Sequence, residues 1–384
     1  MMGRSVPWVD RVRVSNYKSI AACDVTLGPL TVLLGPNGAG KSNFFDALAF
    51  VAEAVEATPS HAIDERGGLS EVLRRVPEPT DSLSITLDVT VRWGREPEQW
   101  ARGEYGFEIA RRQRTGQRSF EVVREACMLR WRDRTERFRV DRGMVDDPSL
   151  PHPLTIEPDL LYLPTAGARP SFAPLLGALR GMRFYHLDPA ALRLPQPQAE
   201  GDALGSRGEH LGDVLDELAA EHPGIKQRLD TYLAVVAPGV ESVGQPDRMS
   251  DGTIRIAGVL AALFQPWVLD GRISLIGLEN PETALHPAAA GVLFDALTEA
   301  SERVQVLVTG QSADLVDRDD LDPSIIRAVA SEEGLTIIGE VNAASLRALR
   351  ERRFTAGELL RAGQLGPELP AAREKREVER LMTG

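Results

Sequence analysis

The run Gly35-Pro36-Asn37-Gly38-Ala39-Gly40-Lys41-Ser42 limits what this chain can fold into more than any other feature in it. Two glycines separated by four residues, then Lys and Ser, form a phosphate-gripping loop only between a buried strand and a helix. Both flanks are present. Leu30–Leu34 is apolar and predicts a strand. Lys41–Ala57 places Phe44, Phe45, Leu48, Phe50, Val51 and Val55 at helical spacing and stops before Pro59. Glycines let successive backbone N–H groups turn inward on a phosphate, and the following helix directs its positive dipole end there. Lys41 is placed to reach phosphate oxygens and the Ser42 hydroxyl to ligate a metal ion. Gly35, Asn37, Gly38, Ala39, Gly40, Lys41, Ser42 and Asn43 are therefore the candidate cradle. The competing reading is a glycine-rich turn ahead of a helix, and the flanking strand and helix weigh against it.

At 384 residues the chain has room for two domains at roughly 150 residues each. No run approaches the ~18 apolar residues of a membrane helix, and Met1–Asp10 lacks the apolar core of a signal peptide. The expectation is a cytoplasmic protein without membrane contact. Cys23 and Cys127 have no partner spacing, and the six histidines show no metal-ligand pattern. The net charge of −12 argues against a protein that coats nucleic acid with its whole surface. Arg111–Arg142 nevertheless carries eleven arginines against five acidic residues. Because only four lysines occur (Lys18, Lys41, Lys226, Lys375), arginine is the default surface cation, which makes that cluster less informative.

Further elements follow from periodicity. Val9–Val14, Val25–Leu27, Ser82–Trp93, Glu104–Arg111 and Ser119–Arg132 read as strands. Asp141–Pro170, rich in proline and aspartate, reads as a long loop. Helices are expected from Leu175, at Leu211–Glu221, Ile225–Val236, Met249–Leu263, Ala288–Ser301, Ala343–Arg353 and Thr355–Ala362. Arg272–Leu278 and Val304–Thr309 are short apolar runs of the kind that form buried parallel strands. The charged tail from Ala371 reads as a solvated helix or frayed end. There is no internal repeat, and no heptad run long enough for a coiled-coil arm.

A nucleotide-hydrolysing loop of this kind needs an acidic residue at the end of a neighbouring buried strand. Ile273–Leu278 ends at Glu279-Asn280-Pro281-Glu282-Thr283-Ala284-Leu285-His286-Pro287. Here the chain resembles the ABC-class ATPases related to the RecF, SMC and OLD families, a branch of the AAA-type P-loop proteins. That resemblance rests on the strand followed by acid, Pro-Glu and Leu-His-Pro, and on the opening Ser15-Asn16-Tyr17-Lys18-Ser19-Ile20. It also rests on Met249-Ser250-Asp251-Gly252-Thr253, which looks like the family's signature, and on Gln305–Leu315, which looks like its switch strand. Arg183–Pro189 and Pro238–Val243 agree. The likeness runs from Val9 to about Pro367. Its motifs are specific in combination and weak singly.

The resemblance implies an α/β P-loop ABC-type head: a parallel core sheet, an antiparallel β-lobe and a helical signature lobe. It implies residues 1–140 as phosphate loop and β-lobe, 141–248 as linker and helical lobe, 249–340 as signature, acidic strand end and switch strand, and 341–384 as C-terminal helices. ATP with Mg²⁺ is the implied ligand, with Ser42 and Glu279 on the metal. Ser250 and Gly252 of a second copy are implied to close over the γ-phosphate, giving an ATP-dependent homodimer. Two positions depart from the pattern. Asn280 stands where the family usually has the water-polarising glutamate, and an amide orients water without accepting its proton. Gln311 stands where a histidine usually contacts the γ-phosphate. Both changes predict slow hydrolysis, with Glu282 as an alternative base.

Three features are weighed against plainer readings. His286 is expected to hold its loop by hydrogen bonds. Asp317, Asp319, Asp320 and Asp322 are the ingredients of a two-metal nuclease, but only about sixty residues remain after them, fewer than a further domain needs, so a solvated loop is expected. Arg130, Arg132 and Arg134 share a face by period two, as do Arg137 and Arg139, with Trp131 and Phe138 interleaved; they offer DNA contact or, as the expectation goes, ordinary charged surface. Two functions stay open. One is an ATPase switch in a DNA-directed process, repair or anti-phage defence, with a separately encoded nuclease or effector. The other is a regulatory ATP-binding subunit acting on a protein partner without DNA.

Overall fold

A computed structural model describes residues 8–75, 77–92, 100–112, 120–194, 203–236, 249–283, 285 and 287–368. The strands are β1 (Trp8–Tyr17), β2 (Ile20–Thr26), β3 (Leu30–Leu34), β4 (Ser82–Arg92), β5 (Trp100–Arg111), β6 (Phe120–Arg130), β7 (Thr135–Asp141), β8 (Met144–Asp146), β9 (Leu154–Thr155), β10 (Met182–Tyr185), β11 (Leu275–Glu279), β12 (Gln305–Gly310), β13 (Ile326–Glu332) and β14 (Leu335–Gly339). They form two sheets. The larger runs β2-β1-β4-β5-β6-β7-β8-β9 and is antiparallel throughout. The smaller runs β10-β11-β12-β3-β13-β14 and is parallel except for its last pair.

The parallel sheet is the middle layer, and its sequence shows why. Along β3, Leu30, Val32 and Leu34 face one apolar cluster while Leu33 faces the other. The same alternation divides Ile276 and Leu278 from Leu275, and Val306 and Val308 from Leu307. Strands covered on both faces need apolar residues at every position. On one side lies the helix Lys41–Glu56 (α1), wedged between the two sheets with Phe44, Phe45, Leu48, Phe50 and Val51 buried. Phe50 meets Tyr17 edge-on at 5.8 Å between ring centroids. On the other side pack the helices Leu211–Glu221 (α2), Pro223–Val236 (α3), Asp251–Phe264 (α4) and Pro287–Ser301 (α5).

Most expected elements are present within a few residues, and two expectations need correction. Asp141–Pro170 is not one loop: it holds β8, β9 and a short helix at Leu163–Ala166, because antiparallel pairing on β7 satisfies backbone groups that proline-rich composition suggested were solvated. Arg132 and Arg134 lie in the β6–β7 hairpin, so they share no strand face with Arg130. β13 and β14 were not anticipated. The stretch Asp251–Leu269 is long and apolar enough to span a bilayer by composition, yet 78% of it is buried inside the protein, which makes it a core segment. Cys23 and Cys127 are both free thiols. Pro238–Val243, Ala284, His286, Arg114, Arg118 and the tail from Ala371 lie outside the described residues.

Candidate nucleotide site

The loop after β3 is shaped by close packing as well as by glycine's freedom. Gly40 caps α1 in the left-handed region, at φ +98°, and a Cβ there would stand 1.8 Å from Thr336 Oγ1 on β14. A Cβ on Gly35 would stand 2.0 Å from the carbonyl oxygen of Val329 on β13. The two unanticipated strands therefore form the wall against which the loop is pressed. Ala39 N–H donates to Pro36 O (3.2 Å), closing the turn. Among the described residues, the N–H groups of Gly38, Gly40, Lys41 and Ser42 find no backbone acceptor. They stand at the positive end of a 16-residue helix, as an anion site requires. Lys41, only 6% exposed, folds its ammonium back onto Gly35 O (2.8 Å) and Pro36 O (2.9 Å). Burial pulls its pKa down, against the raising influence of Glu282 and Glu279. A desolvated ammonium beside uncommitted amides fits a polyphosphate. Asn37 is exposed at the loop tip.

The acidic strand end meets this loop. Ser42 Oγ donates to Glu279 Oε1, joining α1 to the last residue of β11. The other oxygen, Oε2, is held by His186 Nε2. The His186 hydrogen bond is the largest influence on Glu279, whose pKa lies below the usual value; burial opposes it and Ser42 adds to it. A hydroxyl and a carboxylate at the mouth of a phosphate loop are hard oxygen donors of the kind Mg²⁺ takes, with phosphate oxygens and water completing its shell. Among the described residues no group of three or more His, Cys, Asp or Glu could hold a metal by itself.

Asn280 follows with φ +44°, a conformation asparagine tolerates, and its N–H donates to Thr309 O (2.9 Å) and Oγ1 (3.1 Å) on β12. Glu282 is buried. Its Oε1 accepts from the N–H groups of Gln311 (2.8 Å) and Ser312 (3.1 Å). It thus ties the acidic strand end to the switch segment, and the Gln311 side chain remains exposed.

Other candidates fall elsewhere. Ser250 is the N-cap of α4, accepting from Thr253 N–H (3.2 Å). Among the described residues neither Ser250 nor Gly252 hydrogen-bonds to Gly35–Ser42 of the same chain. The Asn43 amide donates to Ser19 Oγ, which pairs with Thr336 Oγ1 at 2.6 Å, so this side chain braces the loop against β14. Asp320 is taken up by Arg318 and Asp322 by Ser324 within the loop, while Asp317 is held from the C-terminal helices by Thr355 and Arg361. Trp131 and Phe138 are buried, which removes them as surfaces for base stacking. His186 lies in Arg183–Pro189, a segment that carried part of the resemblance, but sequence reasoning assigned this residue no role. It directly follows the short apolar strand β10, just as Asn280 follows β11, and ligand-facing residues collect at the carboxyl ends of parallel strands.

Comparison with known proteins agrees with this architecture. A family described as "AAA domain, putative AbiEii toxin, Type IV TA system" matches residues 30–125 and 244–317. The DNA replication and repair protein RecF of Corynebacterium jeikeium (strain K411) is 44% identical over 46 residues, 12% of this chain and 11% of RecF's length. An Smc head bound to the C-winged helix domain of ScpA superposes with a TM-score of 0.52 at 11% identity, covering 88% of this chain and 99% of that one. A Pyrococcus furiosus Smc head with an extended coiled coil, bound to the C-terminal domain of ScpA, gives 0.53 at 12% identity, covering 91% and 100%. This chain has the fold of an Smc-type, ABC-class P-loop head. Identity this low to the Smc heads speaks for the fold alone. In that fold the phosphate loop follows β3, the acidic residue ends β11, and the signature-like segment opens α4.

Proposed function

We propose that this head binds ATP with Mg²⁺ at Gly35–Ser42, closes as a homodimer around the nucleotide and hydrolyses it slowly. The observation that carries the reading is the Ser42–Glu279 contact: a loop hydroxyl and a strand-end carboxylate meet beside a buried lysine and uncommitted amides. Mg²⁺, when bound, neutralises charge on the phosphates. The chain's own residues do the rest. Gly38, Gly40, Lys41 and Ser42 grip phosphate oxygens, and Lys41 exchanges its two carbonyl contacts for them. Ser250 and the α4 N-terminus, which among the described residues make no hydrogen bond to their own loop, serve the γ-phosphate of a second copy. Asn280 orients the attacking water without taking its proton, and Glu282, held by two backbone N–H groups, is poised to report changes at Gln311. Without a strong base, turnover is slow and the closed state long-lived. The conformational change is the output.

The process served is DNA-directed, in repair or anti-phage defence, with a separate effector such as a nuclease. The short RecF likeness supports this, and so does the outer face of the antiparallel sheet. There Arg102 lies opposite Arg130 on the neighbouring strand, while Arg137 and Arg139 follow on β7. All four are exposed and, among the described residues, none has a carboxylate within salt-bridge distance. Strands ~4.8 Å apart and same-face residues ~7 Å apart give a guanidinium spacing suited to phosphates. The alternative is a regulatory subunit acting on a protein partner without DNA. Gel-shift titration with duplex and single-stranded DNA, with and without ATP, decides between them: ATP-dependent retardation supports the first reading, and no binding at low salt supports the second.

A further inference from the structure

Three buried polar atoms at or beside the acidic strand end have no hydrogen-bond partner among the described residues: the acceptors Asn280 Oδ1 and Glu282 Oε2, and the donor Arg255 Nε. Asn280 and Arg255, unlike Glu282, line one small open pocket together with Tyr185, Leu187, Val259, Leu278, Glu279 and Pro281. Arg255 comes from α4, one turn after Ser250, and Asn280 from the end of β11. Backbone bonds to Thr309 hold Asn280 in place, so its amide turns only about the side chain. Buried donors and acceptors are almost always satisfied, often by an internal water in a pocket of about one water's size.

We propose that this pocket is a water site joining Arg255 Nε–H to Asn280 Oδ1, and that Arg255 thereby sets the orientation of the Asn280 amide. An asparagine side chain has two ends of nearly equal shape and opposite hydrogen-bonding character. A donor fixed behind the carbonyl end decides which end faces the nucleotide. Arg255 is a positioning residue, acting from the helix whose N-terminus carries Ser250. The signature-like helix and the hydrolytic residue of one chain are then a single mechanical unit. This rests on the reading above that Asn280 orients the attacking water.

The first test needs no nucleotide. In asparagine-selective ¹⁵N spectra of the full chain, the Asn280 side-chain NH₂ pair, identified by its loss in Asn280→Ala, shifts in Arg255→Met. An unmoved pair overturns the proposal even if ATP binding is sound; a moved pair supports it even if ATP binding fails. The second test is a cycle on ATP turnover. Arg255→Met lowers kcat about tenfold with KM unchanged, and adding it to Asn280→Ala produces no further loss. Independent, multiplying losses overturn the proposal. Arg255→Lys keeps charge and most of the stem but lacks the Nε–H; it reproduces the Arg255→Met shift and kcat loss. Full activity in a folded Arg255→Lys counts against the role.

Discussion

Ser42 on the first turn of α1 donates its hydroxyl to Glu279 at the end of β11, two residues separated by 237 positions in the chain. The parallel register of β11 with β12, and of β12 with β3, brings them together. If the pair holds a metal with the nucleotide, Ser42→Ala keeps metal-free nucleotide binding and loses most of the gain that Mg²⁺ confers. Hydrogen bonds to charged groups are worth about 1.5–3 kcal/mol, so the loss is roughly ten- to a hundredfold in Mg²⁺-dependent affinity. Fluorescent-nucleotide titration with and without Mg²⁺ measures it. An unchanged Mg²⁺ effect contradicts the assignment.

Gly40→Ala meets two obstacles, a left-handed backbone and Thr336 Oγ1 at 1.8 Å. We expect a loss of about 1–3 kcal/mol in unfolding free energy from the backbone alone, plus the clash. Thr336→Gly in the same chain relieves the clash and only part of the loss. Urea denaturation of the single and double variants checks this, and full recovery in the double variant would show that the backbone term is absent.

The phosphate loop was legible because its parts are local: Leu30–Leu34, the glycines, and the helical spacing of Phe44, Leu48 and Val51 all lie within about thirty residues. The acidic strand end was legible from Leu275–Glu279 for the same reason. What was not legible is set by pairing between distant segments. Nothing near His186 shows that Tyr185 aligns with Leu278 and so delivers the imidazole to Glu279. β13 and β14 are short, and Ile326–Glu332 ends in a charged turn at Glu332-Glu333-Gly334. Their importance to the loop appears only when Val329 and Thr336 are found against Gly35 and Gly40. Arg132 and Arg134 were assigned to a strand by period two, and the hairpin between β6 and β7 takes both off it.

Asn280→Glu restores an acceptor for the proton of water. General bases contribute about 10²–10⁴-fold, and the geometry was not shaped for glutamate, so we expect at least a tenfold rise in phosphate release over wild type. Lys41→Ala sets the zero. A wild-type rate equal to that of Lys41→Ala means no catalysis, and an unchanged rate in Asn280→Glu removes Asn280 as the reason for slow turnover.

Glu125, buried on β6, accepts from the N–H groups of Tyr162 and Leu163 (3.0 Å) and from Tyr105 OH (3.0 Å), pinning the β-lobe to the helix at Leu163–Ala166. Burial pushes its pKa up to about 7, while those three donors oppose the rise. A carboxyl whose folded pKa is raised binds a proton more tightly folded than unfolded. Its stabilising contribution is therefore present at low pH and declines between about 4.5 and 7. Glu125→Gln removes that slope and, by turning an NH₂ toward backbone donors, costs about 1–3 kcal/mol. Denaturation midpoints from pH 4.5 to 8 test both parts; an unchanged slope refutes the first.

Arg137→Glu with Arg139→Glu, on the exposed face of β7, abolishes DNA retardation if that face contacts phosphates. Single alanine changes lower the salt slope by about 0.9 each on duplex DNA. ATP affinity stays at the wild-type value, and retardation that survives the double reversal places any DNA elsewhere.

The central claim is met most directly by isothermal calorimetry with ATP in the presence of Mg²⁺. Wild type is predicted to bind one nucleotide per chain, with heat that vanishes in Lys41→Ala while the fold, by circular dichroism, stays the same. Equal heats from both proteins, or none from wild type, would contradict it.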